Sequence, residues 1–189
     1  AARAVGGQLY DEPGLVDTVT NLIEWPTAVA GSFDEAFLAL PREVLVSEMA
    51  HRQRYFPVTG EDGGLRPHFV AVSNMPPRDA SLVRWGYERV LRARLADGRF
   101  FFDEDLKRPL ADRIGALGGV VFQAKLGSLY EKAERVRDLA VWLAGRVGYQ
   151  DAPAVARAAM LAKADLTTAM VGEFPELQGV MGREYALAS

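Results

Sequence analysis

The chain has 189 residues, of which 49% are apolar and 25% charged, with a formal net charge of −3. That is the mix of a globular protein, enough for one domain of ordinary size or two small ones. Cysteine is absent, which excludes disulfides, Cys-based zinc sites and a thiol nucleophile within it. No run approaches the roughly 18 apolar residues of a membrane helix, and no charged-then-apolar leader is present. The expectation is a cytoplasmic chain with no membrane contact.

In chain order, residues 13–25 predict a helix, with Leu15, Val19, Leu22 and Ile23 at helical spacing and Pro26 as its stop. Residues 32–40 predict a second, with Ser32 as N-cap and Glu35 three positions on, a capping box. Pro41 opens a third, carrying Val44, Leu45, Glu48 and Met49. Residues 54–58 and 68–73 are aromatic and β-branched and predict two strands. Gly60-Glu61-Asp62-Gly63-Gly64 between them supplies turn chemistry, so the pair reads as a hairpin. A lone hairpin is marginal in water, so it must pack on helices or join further strands.

Met75-Pro76-Pro77-Arg78 is the candidate boundary between a mixed part, 1–78, and a helical part, 79–189. Segment 79–99 places Val83, Tyr87, Val90 and Leu91 on one face. Segment 103–117 predicts a separate helix with Asp103 as N-cap, carrying Leu106, Leu110, Ile114 and Leu117, ended by Gly118-Gly119. Segment 128–144 is the clearest helix. Ser128 and Glu131 form a capping box, and Leu129, Ala133, Val136, Ala140 and Leu143 recur at steps of four and three. Glu131 precedes Arg135 by four, the favourable order for an ion pair, and Gly148 follows the end. Segment 151–171 opens with Asp151 and Pro153 and carries a stripe of Val155, Ala159, Ala162, Leu166 and Met170. The fold class is therefore α+β, mainly helical.

Charge is uneven. Residues 84–137 hold 12 basic and 8 acidic groups, inside a chain that is acidic on both sides. A basic middle is a candidate polyanion contact; the alternative is a solvated, ion-paired helix face. Arg84, Arg92 and Arg99 lie roughly on one face of a helix, with Arg89 and Arg94 beside it. The planar guanidinium fork donates two hydrogen bonds at once and suits phosphate. Glu88, four before Arg92, can neutralise it locally. Lys125 adds a cation in the same basic region.

His51-Arg52-Gln53-Arg54-Tyr55-Phe56-Pro57 could stack on a base or hold phosphate. It also reads as a helix-to-strand junction with Phe56 in the core and Arg52 in water. Gly115-Ala116-Leu117-Gly118-Gly119 lacks the lysine and spacing of a phosphate loop and reads as a helix end. With only His51 and His68 available, no hydrolytic triad can be assembled. No catalytic or metal-ligating residue is assigned.

The run from Lys163 to Gly179, and on to Gly182, is unusual. It interrupts an apolar segment with Gly172, Pro175, Gly179 and Gly182, although glycine and proline cost a helix interior about 1 and about 3 kcal/mol. Close packing or a shaped turn must compensate. This run resembles the signature of the β subunit of the bacterial two-subunit glycyl-tRNA synthetase. Leu22-Ile23-Glu24-Trp25-Pro26, Glu88-Arg89-Val90-Leu91-Arg92-Ala93-Arg94-Leu95-Ala96-Asp97 and Val121-Phe122-Gln123-Ala124-Lys125-Leu126-Gly127 resemble the same family, in its order and spacing.

The resemblance implies an internal stretch of a subunit several times longer, an expectation that the start at Ala1-Ala2-Arg3 and the stop at Ala188-Ser189 fit. It implies glycine attachment to tRNA with ATP and Mg, adenylation and transfer on the α subunit, and a β subunit that supports tRNA recognition and assembly. The implied partners are the α subunit, glycine tRNA and the rest of β. This stretch itself carries no cofactor and is expected to be non-catalytic. Arg84, Arg89, Arg92, Arg94, Arg99 and Lys125 become RNA-binding candidates, and Lys163, Asp165, Glu173 and Glu176 structural members of the family motif.

The helical part further resembles a degenerate HD-type phosphohydrolase fold. Asp165 stands where that superfamily's His-Asp pair has its Asp, but Ala164 replaces the His. Two alternatives stay open: a scaffold that contacts the α subunit or the rest of β without touching RNA, and a metal-dependent phosphohydrolase.

Overall fold

The computed structural model describes residues 1–188. The chain divides into two compact units, Ala1–Phe100 and a second from Phe101 onward. The division falls within a long helix; the Pro76-Pro77 stretch precedes that helix, inside the first unit.

The first unit is built on a four-stranded antiparallel sheet: β1 (Gln8–Leu9), β2 (Thr27–Ser32), β3 (Phe56–Thr59) and β4 (Leu65–Ser73), in the order β1-β3-β4-β2. The predicted hairpin is β3–β4, with Phe56 opposite Val70 and the glycine-rich turn closing it. It is widened on both sides, by β1 on β3 and by β2 on β4. Phe69, Val70 and Ala71 are all buried in succession, so the sheet is covered on both faces. On one face, Phe56, Val58 and Val70 pack with Leu15 and Val19 of α1 (Leu15–Leu22) and with Val46 and Ala50. On the other, Tyr55 stacks on Phe69 with ring centroids 4.9 Å apart. Gly31 belongs there: a Cβ would lie 2.5 Å from the Phe69 ring.

Three expected helices of this unit differ. Ser32 ends strand β2 and does not cap a helix; Asp34 caps a short 3-10 turn, Glu35–Ala39, by accepting from the Ala36 amide at 2.9 Å. The helix opened by Pro41, α2 (Arg42–Val46), widens into a π-helical turn at Ser47–Arg52. Arg54 then takes φ 60°, and the chain reverses into Tyr55 and β3. Of the helix 13–25, only Leu15–Leu22 is helical, and Leu22 lies exposed.

Helix α3 (Ala80–Leu106) replaces two expected helices. Nothing between Arg99 and Asp103 breaks an α-helix, so Asp103 is interior to it. The stop comes at Pro109, which disfavours helical geometry in the residue before it; a 3-10 helix, Leu110–Gly119, follows.

In the second unit, a short hairpin of β5 (Val121–Gln123) and β6 (Gly127–Ser128) leads into α4 (Leu129–Val147). Both halves of the Ser128–Glu131 capping box form, and Gly148 closes the helix at φ 77°. Glu131 is committed to that cap, and Arg135 donates to the Leu126 carbonyl at 3.1 Å. The expected helix 151–171 is broken. Helix α5 (Ala152–Leu161), capped by Asp151, packs on α4. A 3-10 turn, Ala164–Thr167, then leads to α6 (Ala169–Glu173), capped by Thr168. Pro175–Leu177 is another 3-10 turn, and α7 (Val180–Leu187) follows. Among the described residues no helix is long and apolar enough to cross a membrane.

Candidate functional site

Asp79 starts α3 by accepting from the Ser81 amide at 2.9 Å and the Ser81 hydroxyl at 2.6 Å. These bonds, the hydroxyl's first, hold its carboxyl below the usual range. Leu91 and Leu95 are the buried stripe of the helix, and Tyr87 meets Tyr55 edge-on at 5.5 Å. Burial, with Tyr87 second, pushes the Tyr55 hydroxyl up to about 12.

That packing turns the arginines outward, and they separate into two groups. Arg94 pairs with Asp97 at 3.7 Å, and Arg99 donates to the Ala36 carbonyl at 3.0 Å. Arg84, Arg89 and Arg92 are exposed, and among the described residues none of the three is in a salt bridge. Arg89 stacks over the exposed Trp85 ring, 5.3 Å from its centroid. Glu88 does not neutralise Arg92: its Oε1 accepts from the Ser32 amide at 2.9 Å and the Ser32 hydroxyl at 3.3 Å. The sheet edge takes up the carboxylate, and three cations remain beside an aromatic face. Sequence reasoning missed Trp85; its place four before Arg89 was the available signal.

The His51 run is a helix-to-strand junction. Phe56 is in the core, Arg52 is exposed, and His51 Nε2 lies 2.8 Å from Glu12 Oε1. Arg54 folds back to donate to the His51 carbonyl at 2.6 Å. Inside the π-turn, Glu48 is buried. Desolvation raises its carboxyl above the ordinary range, against the opposing pull of Arg52. The Leu22–Pro26 stretch is a turn into β2, pinned by Asn74 Oδ1, which accepts from the Glu24 and Trp25 amides at 2.7 and 3.1 Å.

Lys125 is exposed in the β5–β6 turn of the second unit. There, two buried aspartates organise the family-motif run. Asp105, on α3, accepts from the Ala169 and Met170 amides at 3.0 and 2.9 Å and so caps α6. Arg113 pairs with it at 3.2 Å, and the Tyr185 hydroxyl donates to it at 3.0 Å. Burial first, and Asp105 second, push the Tyr185 hydroxyl far above its ordinary value. Asp165 is fully buried, and its Oδ2 accepts from the Gly179 and Gly182 amides at the start of α7. The glycines of the run now have a reason. Gly179 sits at φ 85°, and a Cβ on Gly182 would lie 3.1 Å from Asp165 Oδ2.

Lys163 is exposed and precedes the 3-10 turn that carries Asp165; Glu173 ends α6, and Glu176 lies in the first turn of Pro175–Leu177. Both histidines belong to the first unit and Asp165 to the second. Among the described residues no group of three or more His, Asp or Glu side chains could hold a metal. Asp165 Oδ2 is taken up by backbone amides, and its buried Oδ1 has no hydrogen-bond partner among the described residues.

Comparison with known proteins identifies what the chain is similar to. A family model described as glycyl-tRNA synthetase beta subunit matches residues 1–189. A glycine–tRNA ligase beta subunit from Myxococcus xanthus is 61% identical over 191 residues, covering 100% of this chain and 27% of that protein. The protein of the same description from Syntrophus aciditrophicus is 52% identical over 187 residues, covering 99% of this chain and 27% of its own length. That from Geotalea uraniireducens is 52% identical over 185 residues, with 98% and 27% covered. The chain thus spans about a quarter of the length of these relatives.

Proposed function

This chain belongs to the glycyl-tRNA synthetase beta subunit family, and from that premise we propose that it contributes backbone contacts for glycine tRNA to a glycine–tRNA ligase assembled with an α subunit. The supporting observation is the condition of α3. Arg84, Arg89 and Arg92 are exposed, outside any salt bridge among the described residues, with Arg89 on the Trp85 ring. A spent ion-pair network would have its cations matched; here Glu88 is diverted to Ser32. Unmatched arginines beside an aromatic ring suit a phosphate chain with an accessible base.

On this reading the segment binds and positions. Glycine activation and transfer, with ATP and Mg, take place on the α subunit, in the cytoplasm. The helical second unit derives from an HD-type fold whose metal chemistry is gone: Ala164 stands in place of the histidine, and Asp165 has become a helix cap. Lys163, Glu173 and Glu176 serve that motif structurally.

The test is the salt dependence of glycine tRNA binding by the assembled ligase. Each of Arg84→Ala, Arg89→Ala and Arg92→Ala lowers the slope of log affinity against log salt by about one unit if its guanidinium meets a phosphate. Arg94→Ala and Arg99→Ala change it less, because those cations already have partners in the protein. Unchanged slopes in the first three overturn the reading.

A further inference from the structure

Helix α4 has the periodicity of a buried seam but is not buried. Leu129, Ala133, Val136, Ala140 and Leu143 alternate steps of four and three, and Val147 continues the pattern. This spacing lays a seam of side chains along one line of a helix for a partner helix to cover. In the structure only its inner margin is covered. Ala133 and Ala144 are buried where α4 meets its own unit. Val136, Leu139, Leu143 and Val147 are exposed by 44, 65, 52 and 71%.

Trp142 widens the stripe, with Arg146 stacked over its ring at 5.2 Å. Arg146 lies between Leu139 and Trp142 on the helix, Arg135 beside Trp142, and Lys132, over the Phe122 ring at 4.0 Å, heads the stripe; none of the seam positions themselves is charged. An exposed apolar stripe about three turns long is too large to leave in water without a partner.

We propose that this stripe is the docking surface for an amphipathic helix from the remainder of the longer subunit. The relatives that this chain matches extend over almost four times its length, since it covers 27% of them. A partner tethered in the same chain is at hand, at high effective concentration. The seam spacing calls for a helix with its own apolar residues three and four apart. Arg135 and Arg146 call for acidic side chains along its flank. The contact is mainly apolar burial and therefore only weakly sensitive to salt, unlike the arginine face of α3. It is independent of RNA binding, so either proposal can fail alone.

The test uses the full-length subunit, without the α subunit and at low concentration. Residues 1–189 hold no cysteine, so a thiol placed by Leu139→Cys is followed by native-state alkylation mapped to its peptide. Asp138→Cys, one residue round the helix, is the exposed reference. The thiol at 139 is expected to react at least ten-fold more slowly than that at 138. Leu143→Asp in the same subunit is expected to lower its melting temperature by several degrees. Equal alkylation at the two positions overturns the proposal. So does protection that appears only with the α subunit, or only as subunit concentration rises, because the occupant is then another chain.

Discussion

The amide of Gly182 donates to Asp165 Oδ2 across 3.1 Å, and a Cβ on Gly182 would stand 3.1 Å from that same oxygen. The glycine is what lets a fully buried carboxylate reach the first turn of α7. Gly182→Ala adds about 1 kcal/mol of helix propensity. It also drives a methyl group against the buried oxygen that the Gly179 and Gly182 amides hold in place, an overpacking that costs about 1–3 kcal/mol. The net expectation is a loss of about 1 kcal/mol in urea unfolding. A more stable variant contradicts this packing.

Removing the carboxylate is more damaging. Asp165→Ala leaves the part-buried Gly179 and Gly182 amides without their acceptor and costs about 1–3 kcal/mol. Asp165→Asn keeps an acceptor oxygen and costs less. The order alanine below asparagine below wild type in denaturant midpoint checks the capping role.

Glu48 gives a pH dependence of definite sign. Its carboxyl is raised by burial from an ordinary value of 4.5, so between that value and its folded one the native state holds more protons than the unfolded state. Stability from this group is full below about pH 4.5 and falls as pH rises through the folded value. Glu48→Gln removes that decline and raises stability at neutral pH. The check is the difference in unfolding free energy between variant and wild type across pH 4 to 8, which grows with pH.

At the start of α4, Ser128→Ala removes one half of the capping box and costs about 1 kcal/mol at neutral pH. Hydrogen bonds from the Ser128 amide and hydroxyl hold the Glu131 carboxyl below its ordinary value of 4.5. Its contribution is therefore present above that value and lost as pH falls below it. The gap between variant and wild type narrows in acid, which thermal melts at pH 7 and pH 3 measure.

Local chemistry carried much of the fold into view. The β3–β4 hairpin follows from a glycine-rich turn between two β-branched runs. The caps at Ser128 and Asp151 follow from single side chains acting within a few residues, and the cap at Gly148 from the left-handed backbone that glycine adopts freely. What stayed hidden depends on distant partners. Strand β2 is rich in small residues, and it forms because β4 pairs with it. Helix α3 runs on through Asp103 because the true stop is Pro109. The expected helix 151–171 breaks so that Asp105 and Asp165 can cap α6 and α7 from 64 and 14 residues away.

The candidate site was half legible. The arginines could be named from charge and spacing, but their sorting into matched and unmatched cations could not. Glu88 bonds to Ser32 across 56 residues, a separation that no local pattern records.

The most direct measurement is a photo-crosslink from α3 to RNA. A benzophenone side chain replaces Trp85 in the subunit, the ligase is assembled with glycine tRNA and irradiated, and the adduct is compared with one from the same group at Trp142. The account predicts a tRNA adduct from position 85 that unlabelled glycine tRNA competes away, with little from position 142. Adducts to protein alone at position 85, from a ligase that still charges tRNA, contradict it.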